Sequence, residues 1–158
     1  MAGGVALVIR IPEGPNLQLE HLVLDVNGTL ADRGELIAGV ADRLARLREK
    51  LELHLVSGDT FGTLDEIARA LELTPHRVTR GEEKAGIVRA FGGDRCAVVG
   101  NGVNDVPALE VAALGIAVVG PEGASGAAVR AADVVCRSVV EALELLLDPR
   151  ALGATLRP

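Results

Sequence analysis

The chain has no tryptophan and no tyrosine, and its aromatic residues are two phenylalanines, Phe61 and Phe91. The aromatic platforms on which single-stranded nucleic acids stack are therefore missing. Cysteine is as scarce: Cys96 and Cys136 each sit in an apolar, strand-like segment. That pattern predicts buried thiols rather than a disulfide framework or a thiolate metal cage. Lysine is nearly absent, with Lys50 and Lys84 set against 14 arginines. The net charge is −6 and no long basic run exists. Arg43, Arg46 and Arg48 read as the solvated face of a helix, so neither nucleic acid nor an anionic membrane surface is an expected partner. No apolar run approaches the ~18–20 residues that span a bilayer, and the apolar start lacks a basic leader. The expectation is a cytoplasmic protein without membrane insertion.

What the chain does contain is aliphatic: 49% of its 158 residues are hydrophobic. The core must be built from Leu, Val, Ala and Ile. The length suits one domain over 1–158, read as an N-terminal hairpin (1–20), a core (21–148) and a C-terminal tail (149–158). The hairpin is expected from Val5 to Ile11, a turn at Pro12–Asn16, and alternation from Leu17 onward. After it, strands and helices alternate. Helices are predicted over 36–50, about 61–71, 82–91, 106–113, 122–132 and 139–147. Strands are predicted over 21–24, 51–56, near Val78, 96–99, 115–119 and 133–136. That order implies an α/β fold, three layers with a central, mainly parallel sheet. Ligands of such sheets bind beyond the carboxyl ends of the strands.

Three strands empty into short polar loops containing glycine. The first ends in Asp25-Val26-Asn27-Gly28-Thr29, the second in Ser57-Gly58-Asp59-Thr60, and the third in Gly100-Asn101-Gly102-Val103-Asn104-Asp105. Three of the chain's four asparagines fall in the first and third of these loops. A lysine at position 84, in a chain that otherwise uses arginine, offers a compact charge suited to a phosphate oxygen. Composition alone leaves Lys84 equally a surface helix residue. Asp105 has a competing role as a helix cap ahead of Pro107, and Asp59 reads as a cap for the helix beginning near Phe61.

These loops together resemble the four motifs of the haloacid dehalogenase (HAD) superfamily. Asp25 to Thr29 is similar to the first motif, Ser57 to the second, Lys84 to the third, and Gly100 to Asp105 to the fourth. Within the superfamily the likeness is strongest to the phosphorylation domain of P-type ATPases, carried by Ser57-Gly58-Asp59, by Lys84-Ala85-Gly86-Ile87-Val88 and by Gly102 to Leu109. It covers about residues 20–137. The stretches 30–56 and 58–83 are too short for a cap domain, so a Rossmann-like HAD core without a cap is expected.

The resemblance implies a magnesium-dependent phosphohydrolase, phosphatase or ATPase-like, working through an aspartyl phosphate at Asp25. Asp25, Asn27, Ser57 and Lys84 would be the catalytic set. Gly28, Thr29, Ser57, Gly58, Lys84 and Asn104 would hold phosphate. Asp25, Asn27, Asn101 and Asp105 would hold Mg2+. Two departures stand out. Many family phosphatases carry Asp where this chain has Asn27, and the fourth motif usually has Asp where this chain has Asn101. The first removes a general acid–base group and the second a charge from the metal shell, so turnover is expected to be slow. The alternative is a degenerate module that keeps the fold and binds phosphate or magnesium. A receiver-like signalling domain is disfavoured, because no acidic pair ends the first core strand. The implied partners are a phosphorylated small molecule, a nucleotide or a phosphoprotein, and a second copy of the chain to close an uncapped site.

Overall fold

The computed structural model describes residues 6–158; Val5, where the first strand is expected to begin, lies outside the described residues. The central sheet has six strands: β3 (His21–Leu24), β6 (Glu52–Ser57), β7 (Pro75–Arg77), β8 (Cys96–Gly100), β9 (Leu114–Val118) and β10 (Val134–Cys136). Their spatial order is β10-β9-β8-β3-β6-β7, and every pairing is parallel. The sheet therefore runs outward in both directions from the β3–β8 pair. That pair is the topological switch point, where a crevice opens beyond the strand ends.

Helices cover both faces. On one lie α1 (Val40–Leu47), α2 (Leu64–Leu71), α6 (Val139–Leu146) and α7 (Pro149–Thr155), packed on Leu22, Leu24, Leu53, Leu55, Ala97 and Val99. On the other lie α3 (Gly81–Phe91), α4 (Val106–Val111) and α5 (Gly126–Ala131), packed around Val23, Val56 and Val98. Alternate residues of β3 thus feed opposite cores, as the period-two geometry of a strand requires. The largest fully buried side chains are all leucine or isoleucine, in line with the aromatic-poor composition. Cys96 and Cys136 are free and buried, and burial pushes the Cys96 thiol up to about 11.

The N-terminal hairpin is present as β1 (Leu7–Ile9) and β2 (Leu17–Leu19), but it forms its own two-stranded sheet. Rather than extending the central sheet, it turns Leu7, Ile9 and Leu19 into the core beside Leu152 of α7. A second small hairpin, β4 (Ala31–Asp32) and β5 (Glu35–Leu36), follows the Asp25 loop. Its turn residues Arg33 and Gly34 have φ of 50° and 86°, the left-handed pair that a two-residue hairpin turn needs. Apart from this hairpin and α1, nothing intervenes between Thr29 and Ser57, and 58–83 holds only α2 and β7, so no cap domain is formed there.

Several helices are shorter than the periodicity predicts. The helix expected from 36 begins at Val40 because Leu36 is taken by β5 and Gly39 has φ 90°. The helix expected from 61 begins at Leu64, whose N–H donates to the Asp59 carboxylate at 2.9 Å. The helix expected from 122 begins at Gly126, with Ser125 accepting from the Ala128 N–H. The strand expected near Val78 is Pro75–Arg77. No helix among the described residues is long and apolar enough to cross a membrane.

Candidate active site

Asp25 follows directly on β3, between β6 and β8, and is 8% exposed. Its carboxylate is held from two sides. Lys84 Nζ donates to Oδ1 at 2.8 Å, and Thr29 Oγ1 donates to Oδ2 at 3.0 Å. Lys84, 2% exposed, reaches this position from the first turn of α3 and also donates to Asp105 Oδ1 at 2.7 Å. Two of the three ammonium donors are thereby used, leaving one for a ligand oxygen. Lys84 is not a surface helix residue.

Asp105 is 1% exposed, and its second oxygen accepts from the backbone N–H groups of Asn101 and Gly102, both at 3.0 Å. It does not cap α4 with its side chain. Gly100 makes room for this carboxylate: a Cβ there would lie 2.5 Å from Asp105 Cγ. Asn101 donates from Nδ2 to the Gly123 carbonyl at 3.2 Å, which turns its Oδ1 toward Thr29 Oγ1 at 3.3 Å. The Asp25 Oδ2 and Asn101 Oδ1 oxygens, from two strands, therefore converge on one hydroxyl.

A cavity of about 220 Å³ opens in front, lined by Asp25, Asn27, Ser57, Gly58, Thr60, Asn101, Gly102, Asn104 and Glu122. Ser57 is 1% exposed and accepts the Asp59 N–H at 2.9 Å through Oγ, so its own hydroxyl hydrogen remains free to donate. Gly28, at φ 75°, packs so closely that a Cβ would come within 2.8 Å of Asn101 Nδ2 and 2.9 Å of Glu122 Cδ. Only glycine satisfies both the left-handed backbone and that approach. The loops at the ends of β3, β6 and β8 thus meet at the switch point, with Lys84, Thr29 and Asp105 behind the cavity. Sequence reading did not single out Thr60 or Glu122 as site residues. Glu122 follows β9, a fourth strand end to which the same topological rule applies.

Burial, and then the nearby Asp105 charge, push the Asp25 carboxyl up to about 6, against the opposing pull of Lys84 and Thr29. Burial by itself would lower Lys84, but the attraction of Asp25 and Asp105 outweighs it and raises its pKa. At neutral pH one ammonium faces two buried carboxylates, and Glu122 adds a further negative charge at the rim. A phosphate dianion would be repelled from this cavity without a cation. The oxygen-only donor set of Asp25, Asn101 and the Asn27 backbone fits a hard dication such as Mg2+. The buried triad also makes a strong prediction. Lys84→Met leaves Asp25 and Asp105 buried without a counter-ion and should cost roughly 3–5 kcal/mol in urea unfolding at neutral pH. A loss below ~1 kcal/mol would contradict this arrangement.

A larger groove of about 670 Å³ lies at the other end of the sheet, bordered by His21, Glu52, Arg48 and Leu53. None of the three polar loops reaches it. Nearby, His54 is held down to about 4, chiefly by burial.

Residues 8–113 match the sequence model of haloacid dehalogenase-like hydrolases. The chain belongs to that family, and so to the hydrolases. A 59-residue stretch is 44% identical to an uncharacterised protein of Methanocaldococcus jannaschii, MJ0073, covering 37% of this chain and 63% of that one. Among solved structures, the 3-deoxy-D-manno-octulosonate 8-phosphate phosphatase of Moraxella catarrhalis, determined with magnesium, phosphate and KDO, superposes with TM-score 0.65 at 22% identity, over 84% of this chain and 87% of that one. A zinc-transporting PIB-type ATPase superposes with TM-score 0.65 at 24% identity, over 75% of this chain and 20% of that one. The fold is the one these HAD phosphatases and ATPases share.

Proposed function

We propose that the protein is a magnesium-dependent phosphohydrolase that works through an aspartyl phosphate at Asp25. The observation that carries this reading is the buried Asp25–Lys84–Asp105 array at the head of a cavity that also collects Ser57, Asn27 and Asn101. An Asp25 oxygen bonds to phosphorus as the phosphorus–leaving-group bond breaks, and the leaving group departs with the electron pair. Water then attacks phosphorus, the Asp25–phosphorus bond breaks, and the carboxylate is regenerated.

Lys84 keeps Asp25 ionised and aligned, and its third donor is left over for a phosphoryl oxygen. The Ser57 hydroxyl, the Gly58 backbone and the Asn104 amide hold further phosphoryl oxygens. Thr29 fixes the rotamer of Asp25. Asp25, the Asn27 carbonyl and Asn101 would hold Mg2+, which supplies charge neutralisation when bound; Asp105 supports that set by ordering the Asn101 backbone. Asn27 cannot exchange a proton near neutral pH. The favoured substrates are therefore phosphoryl compounds with good leaving groups, such as acyl phosphates, nucleotide phosphates or a phosphoprotein. Asn27 and Asn101 also support a second reading, a module that binds phosphate and magnesium without turning over.

The test is incubation with Mg2+ and acetyl phosphate, ATP or an aryl phosphate, beside Asp25→Asn. Released phosphate and hydroxylamine-labile phosphoprotein are both quantified. Phosphate release that needs both Mg2+ and Asp25 is the expected result. Labelling without release selects slow hydrolysis of the intermediate, and no reaction on any of the three selects the binding module.

A further inference from the structure

The chain has three histidines, and all three surround one of its two phenylalanines. The His54 ring stacks on Phe91 at 4.0 Å between centroids, His21 stacks on it at 4.9 Å, and His76 meets it edge-on at 6.5 Å. The cluster follows from strand register. His21 opens β3 directly across from Glu52, which opens β6, and His54 lies two residues further on the same face. It therefore sits at the amino ends of the strands, the opposite end of the sheet from Asp25.

Three potential ligand atoms converge there. His21 Nδ1 is 3.2 Å from His54 Nε2 and 3.5 Å from Glu52 Oε2, and all the ligand atoms lie within 4.8 Å of one another. With zinc–ligand bonds of about 2.0–2.1 Å, two ligands of one tetrahedral ion are separated by about 3.3 Å. The two short separations match that spacing. Without a metal, the two ring nitrogens can face each other only if one of them carries its proton; an ion would take the place of that bridging proton. Phe91 walls the site on one side. His21 and Glu52 border the open 670 Å³ groove, which gives an entry path on the other. The nearest thiol, Cys96, is turned away toward the carbonyls of Val88 and Gly92.

We infer that His21, Glu52 and His54 form a binding site for a transition-metal dication of the zinc type, with one position left for water. The nitrogen donors distinguish it from the all-oxygen set at Asp25, and imidazole favours zinc over magnesium. The ion would tie the start of β3 to the start of β6, away from the phosphoryl site.

The experiment is calorimetric titration of chelator-stripped protein with ZnCl2 in excess Mg2+, paired with Co2+ absorption spectra. The proteins compared are the wild type, Glu52→Gln, His21→Ala and Asp25→Asn, with folding checked by circular dichroism. Expected is one zinc per chain, an affinity at least roughly 10-fold weaker in Glu52→Gln and weaker again in His21→Ala, and an unchanged affinity in Asp25→Asn. The Co2+ spectrum should show visible bands of a nitrogen–oxygen site without a thiolate charge-transfer band. Glu52 is exposed, so its variant tests the site even if His21→Ala folds poorly. No zinc bound at micromolar concentration, equal binding by the wild type and Glu52→Gln, or a thiolate band would overturn the assignment. Loss of binding in Asp25→Asn would place the zinc in the phosphoryl site instead.

Discussion

In metal-free buffer at pH 8, Asp25→Asn should melt several degrees above the wild type, and the difference should vanish near pH 4. Asp25 is buried beside Asp105, and its carboxyl is raised from 3.8 to about 6 even though Lys84 and Thr29 hold it. The folded state thus keeps the proton that the unfolded chain releases near the ordinary value. The stability that the neutral carboxyl contributes is fully present below about pH 4 and is lost as pH rises through about 6. Above that the ionised group is a standing cost on the order of 2–3 kcal/mol. An asparagine imitates the neutral acid in shape and removes the cost. For a domain of this size the gain corresponds to roughly 4–10 °C in Tm. The same substitution removes the proposed nucleophile, so stability should rise as turnover falls to background. A dication adds a further arm. Mg2+ should raise the melting temperature of the wild type and leave that of Asp25→Asn unmoved, narrowing the gap. Thermal melts across pH 4–8, with chelator and with Mg2+, decide the matter. A variant less stable than the wild type at pH 8 in chelator would mean that the Lys84 pairing outweighs the burial of Asp25.

The parts of the site that are readable in the sequence share one property: each lies where a buried strand stops. Asp25, Ser57 and Asn101 are placed by the sheet, and a parallel sheet delivers all its strand ends to one edge. Lys84 is legible as an oddity of composition, but its burial against two carboxylates is a tertiary fact. Glu122 obeys the strand-end rule and escapes notice because no second residue type marks its loop. The β4–β5 hairpin is hidden because its strands are two residues each, too short for alternation to register. Its Arg33-Gly34 turn is the available signal. In the segment 149–158, read only as a tail, Pro149 looks like a stop. It is also the first residue of α7, where Asp148 caps the helix through the Ala151 N–H at 3.2 Å and the missing proline N–H costs nothing. The histidine cluster is invisible from spacing, since His21 and His54 are brought together only by the β3–β6 register.

Asn27→Asp should accelerate hydrolysis of alkyl phosphates by ~10²–10⁴-fold, the usual contribution of a positioned general acid–base group. Asn27 lies two residues beyond Asp25 and lines the same cavity, partly buried. A carboxyl there can protonate a departing alkoxide and then take a proton from the attacking water. The asparagine amide does neither. Aryl and acyl phosphates leave without needing a proton, so their first step should gain little. Release of the phosphoryl group from Asp25 should quicken for every substrate, because that step always needs an activated water. The expected signature is therefore selective. Turnover rises most for alkyl esters, steady-state phosphoprotein falls for all, and the pH profile gains an acidic limb from the new carboxyl. The added charge also deepens the negative potential set by Asp25, Asp105 and Glu122, so the variant should depend more steeply on Mg2+. Steady-state kinetics on a matched alkyl and aryl pair, with phosphoprotein trapped by acid quench, gives all of these readings. Equal rates for wild type and variant on both esters would show that position 27 does not face the leaving group, and the explanation of slow turnover by Asn27 would have to be abandoned.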